Sequence, residues 1–187
     1  MKNEKDKNGN KENGHRGSGS ADGRIRRLSL CALFAAVIFT ATAFLPRIPI
    51  SQTGYAHLGD AFIYAAACLL PFPYGLFAAA IGGAAADIAS GYAFYAAFTF
   101  VSKALLTLPF SSKGGRMLTK RNVIASVLGI PVTFLTYLVP DTVLTGSLAS
   151  AAAAGVMNVF QGIVSAALFI AAGVVLDKAG VKKHLDI

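Results

Sequence analysis

Charge is almost absent from a long central part of this chain. Between Leu28 and Phe110 only Arg47, Asp60, Asp87 and Lys103 carry a formal charge. A soluble domain surrounds its core with charged side chains, whereas 55% of these 187 residues are hydrophobic and 14% are charged, so the bilayer is the solvent this sequence suits. The chain is expected to be an all-α integral membrane protein of the multi-pass type, residing in the cell membrane.

Six apolar segments can be laid out. Residues 1–23 are polar and Gly-rich with nothing to bury, which predicts a disordered cytoplasmic tail. Arg24, Arg26 and Arg27 then precede the run Leu28 to Leu45, long enough for a first membrane helix. Ala41-Thr42-Ala43 resembles a signal-peptide cleavage site, but the apolar run exceeds a usual signal core. Helix 2 is expected from about Leu58 to Leu70 after a loop containing Pro46 and Pro49, and Pro71-Phe72-Pro73 marks a tight reversal into helix 3, Tyr74 to Ala89. Helix 4 is expected over Ala96 to Phe110, helix 5 over Val123 to Val139, and helix 6 over Leu148 to Leu176. Residues 24–178 thus form a six-helix membrane domain, and 179–187 a second cytoplasmic tail.

Lys and Arg set the orientation. Eight lie in the first 27 residues, and Lys113, Arg116, Lys120, Arg121, Lys178, Lys182 and Lys183 fall between helices 4 and 5 or after helix 6. With six helices and both termini in the cytoplasm all of these lie inside, leaving Arg47 outside and Lys103 within the membrane. Basic residues that flank apolar segments orient helices, and no continuous basic face is offered to nucleic acid.

In this arrangement the polar residues inside the bilayer converge on its outer half. His57 and Asp60 open helix 2, Asp87 closes helix 3, and Lys103 lies roughly 10 Å into helix 4, with Asn158 and Gln161 at similar or slightly greater depth in helix 6. Thr99, Lys103 and Thr107 recur every four residues, and Asn158, Gln161 and Ser165 at three then four, so each set marks one helix face. A polar stripe facing lipid is costly, which makes a lined pocket the functional interpretation. The plainer alternatives are that Asp60 caps helix 2, that Asp87 and Lys103 neutralise each other, that His57 is a hydrogen-bonded loop residue, and that Tyr92 and Tyr95 are interfacial aromatics.

Small residues form a further pattern, Ala32 and Ala36 on helix 1 and Ala78, Gly82 and Ala86 on helix 3, suited to close helix approach within the bundle or to a partner. No phosphate loop, H-E-x-x-H helix or G-x-S-x-G elbow is present, no metal-ligand spacing is seen and no cofactor is expected. If the protein concentrates a solute, the energy must come from elsewhere than a phosphate loop of its own.

The stretches GYAHLGDAFIYAAA, from Gly54, and PYGLFAAAIGGAAADIASGYAFYAAFTFVSKAL, ending at Leu105, resemble the substrate-binding S component of energy-coupling factor (ECF) vitamin transporters, riboflavin type. The motifs within them are HLGDAFIY, the Gly82 to Tyr92 stretch and the T-F-x-x-K that ends at Lys103. The resemblance implies a non-enzymatic six-helix protein that takes a water-soluble vitamin from outside, with riboflavin leading and pyridoxine or a thiamine precursor as alternatives. It also implies docking on a membrane coupling subunit served by two cytoplasmic ATPases, with Ala32 and Ala36 at the coupling interface. The expected substrate-binding set is His57, Asp60, Asp87, Tyr92, Tyr95, Lys103, Asn158 and Gln161. The sequence contains no Trp, so stacking on a flat ring falls to Tyr55, Tyr92, Tyr95 or Phe98. Two other classes stay open on the residues alone: a membrane-embedded enzyme using His57, Asp60 and Asp87 as acid and base, and a stand-alone ion-coupled carrier built on Asp87 and Lys103.

Overall fold

The computed structural model describes residues 5–45, 48–49 and 55–185, with side chains over 21–45 and 57–185. Arg47 and the side chain of Tyr55 lie outside the described residues. Seven α-helices make up nearly all of the described chain: α1 (Lys5–Ala43), α2 (Gly59–Leu69), α3 (Tyr74–Ala89), α4 (Ala96–Thr107), α5 (Lys120–Thr145), α6 (Leu148–Lys178) and the short α7 (Val181–Leu185). A two-residue antiparallel ribbon, β1 (Ile48–Pro49) with β2 (Tyr55–Ala56), occupies the loop before α2. One 3₁₀ turn, Ala93–Tyr95, leads into α4.

Three helices are long and apolar enough to cross a bilayer: Ala21–Ala43 of α1, α5 and α6. The other apolar helices are shorter, α2 with 11 residues and α3 with 16, or about 16 and 24 Å against a hydrocarbon core of about 30 Å. Large apolar side chains stand exposed on the outward faces, among them Leu33, Ile81, Val101, Ile124, Leu135 and Val156. An apolar exterior of this extent is foreign to a soluble monomer and natural where lipid is the solvent.

Several boundaries differ from the sequence-based expectation, for physical reasons. The backbone of α1 is already helical from Lys5, through the polar segment where no element is expected. Helix α5 begins at Lys120 because the Thr119 hydroxyl caps it, accepting from Asn122 N at 3.2 Å. It continues through Pro131 and Pro140 to Thr145. Proline deprives a helix of one donor, and in a membrane protein hydroxyls help to satisfy the backbone around it. Elsewhere along α5 Thr136 Oγ1 donates to Val132 O, Thr142 Oγ1 to Leu138 O and Thr145 Oγ1 to Asp141 O, none of them the carbonyl four residues before a proline. Gly146, at φ 66°, ends α5, and Ser147 caps α6.

The core gathers Ile38 of α1, Ile63 and Tyr64 of α2, Ala78 of α3, Leu106 of α4, Ala125 of α5 and Phe169 of α6. Tyr64 stacks on Phe110 at 5.1 Å, and both meet Phe169 edge-on at 5.8 Å. Helix α3 packs on α1 through its small stripe, with Ala78 and Ala86 fully buried. A Cβ on Gly82 would stand 2.6 Å from the carbonyl oxygen of Ala35, so this crossing needs glycine. Ala32 and Ala36, by contrast, are exposed on α1 and take no part in that contact.

Candidate functional site

Helix α2 brings a carboxylate into the bundle within its first turn. Asp60 is fully buried, and its oxygens do not cap the helix, whose N-cap position is Leu58 without a side-chain bond. Instead Oδ1 receives Lys103 Nζ of α4 at 2.6 Å and Oδ2 receives Gln161 Nε2 of α6 at 2.8 Å. The capping alternative for Asp60 is thereby overturned. Lys103 is only 1% exposed, so the pair is sealed from both water and lipid.

Gln161 uses its amide at both ends. Its Oε1 accepts from the backbone N–H of His57 at 3.0 Å, which ties the loop before α2 to α6. The ring of His57 folds back so that Nδ1 accepts from Gly59 N at 3.0 Å, leaving the proton of a neutral imidazole on Nε2. His57 is thus buried and hydrogen-bonded, as well as being within the cluster.

A second network adjoins the first. Thr99, one turn before Lys103, donates its hydroxyl to Asp87 Oδ2 and lies 2.7 Å from Tyr137 OH. A hydroxyl has one hydrogen, so the chain of donation runs from Tyr137 to Thr99 to Asp87 and joins α5, α4 and α3. Lys103 Nζ stands 5.7 Å from the centre of the Tyr137 ring, within cation–π range, which links the two networks. Tyr95, 6% exposed, donates to Asp141 Oδ1 at 2.6 Å and lies 6.1 Å from the Tyr137 ring. The expectation that Asp87 and Lys103 form a pair is corrected: the ion-pair partner of Lys103 is Asp60, and Asp87 accepts from Thr99.

Close packing makes this arrangement feasible. A Cβ on Gly83 would lie 2.9 Å from Lys103 Cγ and 3.2 Å from Thr99 Cγ2, so the bare backbone of α3 lets the lysine stem pass. Of the remaining expected residues, Tyr92 is half-buried with its ring 6.5 Å from Tyr95. Asn158 is half-buried, one turn from Gln161, and its side chain makes no hydrogen bond among the described residues. Thr107 leaves the expected stripe, since its hydroxyl donates to Ala104 O of its own helix.

Four participants have no counterpart in the expected readings: Tyr137, Asp141, and the pair Thr136 and Ser102, whose hydroxyls stand 2.7 Å apart. Asp141 is expected in an outer loop, yet α5 carries it and it is 5% exposed. The signal of those on α5 is a stripe, Thr133, Thr136, Tyr137, Pro140 and Asp141, at helical three and four spacing, which Pro140 obscures when taken as a helix end.

The site therefore joins side chains from α2, α3, α4, α5 and α6 in two linked networks, with donors and acceptors but no clustered metal ligands among the described residues. None of the curated proteins compared with the chain matches it. The model of the family described as the ECF-type riboflavin transporter, S component, matches residues 23–180. That match takes in the whole bundle from the start of the apolar part of α1 to the end of α6, and the chain therefore belongs to this family of S components, which are parts of a transporter and not enzymes.

Proposed function

We propose that this chain is the substrate-capture subunit of an ECF-type ABC importer, taking riboflavin from the outer face of the cell membrane. The chain then docks through Ala32 and Ala36 of α1 on a membrane coupling subunit driven by two cytoplasmic ATPases. The membrane domain, residues 24–178, crosses the bilayer six times, with residues 1–23 and 179–187 as cytoplasmic tails. His57, Asp60, Asp87, Tyr92, Tyr95, Lys103, Asn158 and Gln161 form the substrate site.

The observation that carries this proposal is the buried Lys103 to Asp60 to Gln161 network, since a charge inside a bilayer is retained at a cost and marks a solute path. The pair is already neutral as a unit, which favours a neutral ligand edge offering both donors and acceptors over an ion. Such an edge exchanges bonds with Lys103, Asp60 and Gln161 without leaving either charge unpaired. Tyr92, Tyr95 and Tyr137 supply flat surfaces beside that edge for an aromatic ring. The exposure of Ala32 and Ala36 on α1 supports their use against a partner helix, because small residues let backbones approach closely.

Riboflavin titrated into the purified protein, followed by quenching of flavin fluorescence, tests the proposal. Saturable quenching that Gln161→Leu weakens is the expected result. No quenching at any concentration, with pyridoxine or a thiamine precursor binding instead by calorimetry, overturns riboflavin as substrate. Binding of none of the three overturns vitamin capture.

A further inference from the structure

At the opposite end from the polar networks, a cavity of about 270 Å³ opens where the α2 to α3 turn meets the end of α4. Its walls are mostly apolar, chiefly Phe72, Leu76 and Leu108, and its polar lining is Thr107, Ser112 and Arg121. Phe72, on the reversal between Pro71 and Pro73, is 74% exposed, so the apolar wall continues to the surface.

Arg121 is held in place at this rim. Its Nε donates to Pro109 O at 2.7 Å and its Nη2 to Phe110 O at 3.3 Å, which fixes the guanidinium plane. The remaining N–H groups of a five-donor fork are then presented without further ordering cost. Lys113, Arg116 and Lys120 stand exposed nearby in sequence, and their side chains make no hydrogen bond or ion pair among the described residues. The nearest acidic contribution, Asp177, is spent on the backbone N–H groups of Met117 and Leu118 at 2.6 and 2.9 Å.

We infer that this groove is a binding site for one anionic phospholipid, an acyl chain lying along Phe72, Leu76 and Leu108 and the phosphate held by Arg121. A cavity of about 270 Å³ that continues to the surface at Phe72 has room for part of one acyl chain. Neutral lipid fills any apolar groove in a bilayer; the fixed cation and unpaired basic neighbours are what select negative charge. The orientation proposed above determines only that the cytoplasmic leaflet supplies this lipid. Binding in detergent does not depend on it.

The test uses the full chain purified in a neutral detergent and titrated with phosphatidylglycerol or with phosphatidylcholine of identical acyl chains. Thermal unfolding and native mass spectrometry are the readouts, and riboflavin quenching on the same samples monitors the capture site separately. Phosphatidylglycerol is expected to bind about fivefold more tightly than phosphatidylcholine for each basic contact made. Arg121→Gln should erase most of that preference. Because Arg121 also supports the end of α4, Leu76→Trp provides a second variant that blocks the groove and keeps every charge. Equal binding of the two lipids, a preference surviving in both variants, or a full stabilising shift from soluble glycerol phosphate would each overturn the inference.

Discussion

The two ends of the bundle handle charge in opposite ways. At the α2 and α4 end, Asp60 and Lys103 are buried and satisfied by each other and by Gln161, side chain to side chain across three helices. At the other end the basic side chains of the α4 to α5 segment are exposed, and the buried polar work is side chain to backbone. There Asp177 holds the N–H groups of Met117 and Leu118, and Asn122 binds Ser111 N, Ser111 O and Met117 O. A buried ion pair responds strongly to the loss of one partner, whereas exposed charges contribute little to stability and instead set orientation and surface attraction. The first end is therefore where the loss of a single side chain should be felt most. The second is suited to fixing the shape of a loop.

The largest effect is expected from breaking the first end asymmetrically. Lys103→Met leaves Asp60 buried with a charge and no cation, which should cost about 3 to 5 kcal/mol of stability. Asp60→Asn introduced on top should restore much of it, whereas Asp87→Asn should not. Melting temperatures of the three variants in detergent check this. Rescue by Asp87→Asn instead would show that the pair observed here is not the one that matters.

At the other end, Asp177→Ala removes acceptors from two backbone donors at once. A loss of about 1 to 3 kcal/mol is expected, with riboflavin affinity unchanged. An affinity loss as large as that of a site variant would mean that the two ends are coupled, and the comparison would have to be redrawn.

The small-residue stripes give an intermediate case. Gly82→Leu forces a side chain against Ala35 O and Ile38, and overpacking of this kind costs typically about 1 to 3 kcal/mol. Ala32 and Ala36 are exposed, so with Leu at both positions the isolated protein should keep its melting temperature and its affinity while uptake by the assembled transporter falls. Equal loss of binding and uptake would assign these alanines to the bundle itself.

Sequence reasoning located much of this and missed the rest for identifiable reasons. The span of α3 was legible, Tyr74–Ala89, because Pro73 and the following polar loop bracket a continuous apolar run. Asp60, Lys103 and Gln161 were legible as polar residues out of place in a bilayer, and each lies in the first network. Their pairing was not legible: periodicity assigns residues to helix faces but says nothing of the depth at which one helix passes another, so Asp87 stands as the expected partner of Lys103 and Asp60 as a helix cap. The contribution of α5 was hidden in part by proline. Pro140 looks like a terminus in water, but a membrane helix carries on through it, placing Asp141 beside Tyr95. Tyr137 lies within the expected helix 5 and escapes notice because an uncharged tyrosine in an apolar run does not stand out, although it meets Thr99.

The smallest effect expected is also the finest probe of the site. Tyr137→Phe keeps the ring that stands 5.7 Å from Lys103 Nζ and removes only the hydroxyl that donates to Thr99. One neutral hydrogen bond is lost, which should lower stability by about 0.5 to 1.5 kcal/mol. The chain of donation from Tyr137 through Thr99 to Asp87 predicts coupling, so the double variant with Thr99→Val should lose less than the sum of the two single variants. Thermal unfolding of the singles and the double measures that difference directly. Strict additivity would mean that Tyr137 and Thr99 act independently, and the second network would then dissolve into separate contacts, leaving the Asp60 and Lys103 pair as the sole organised polar element at this end of the bundle.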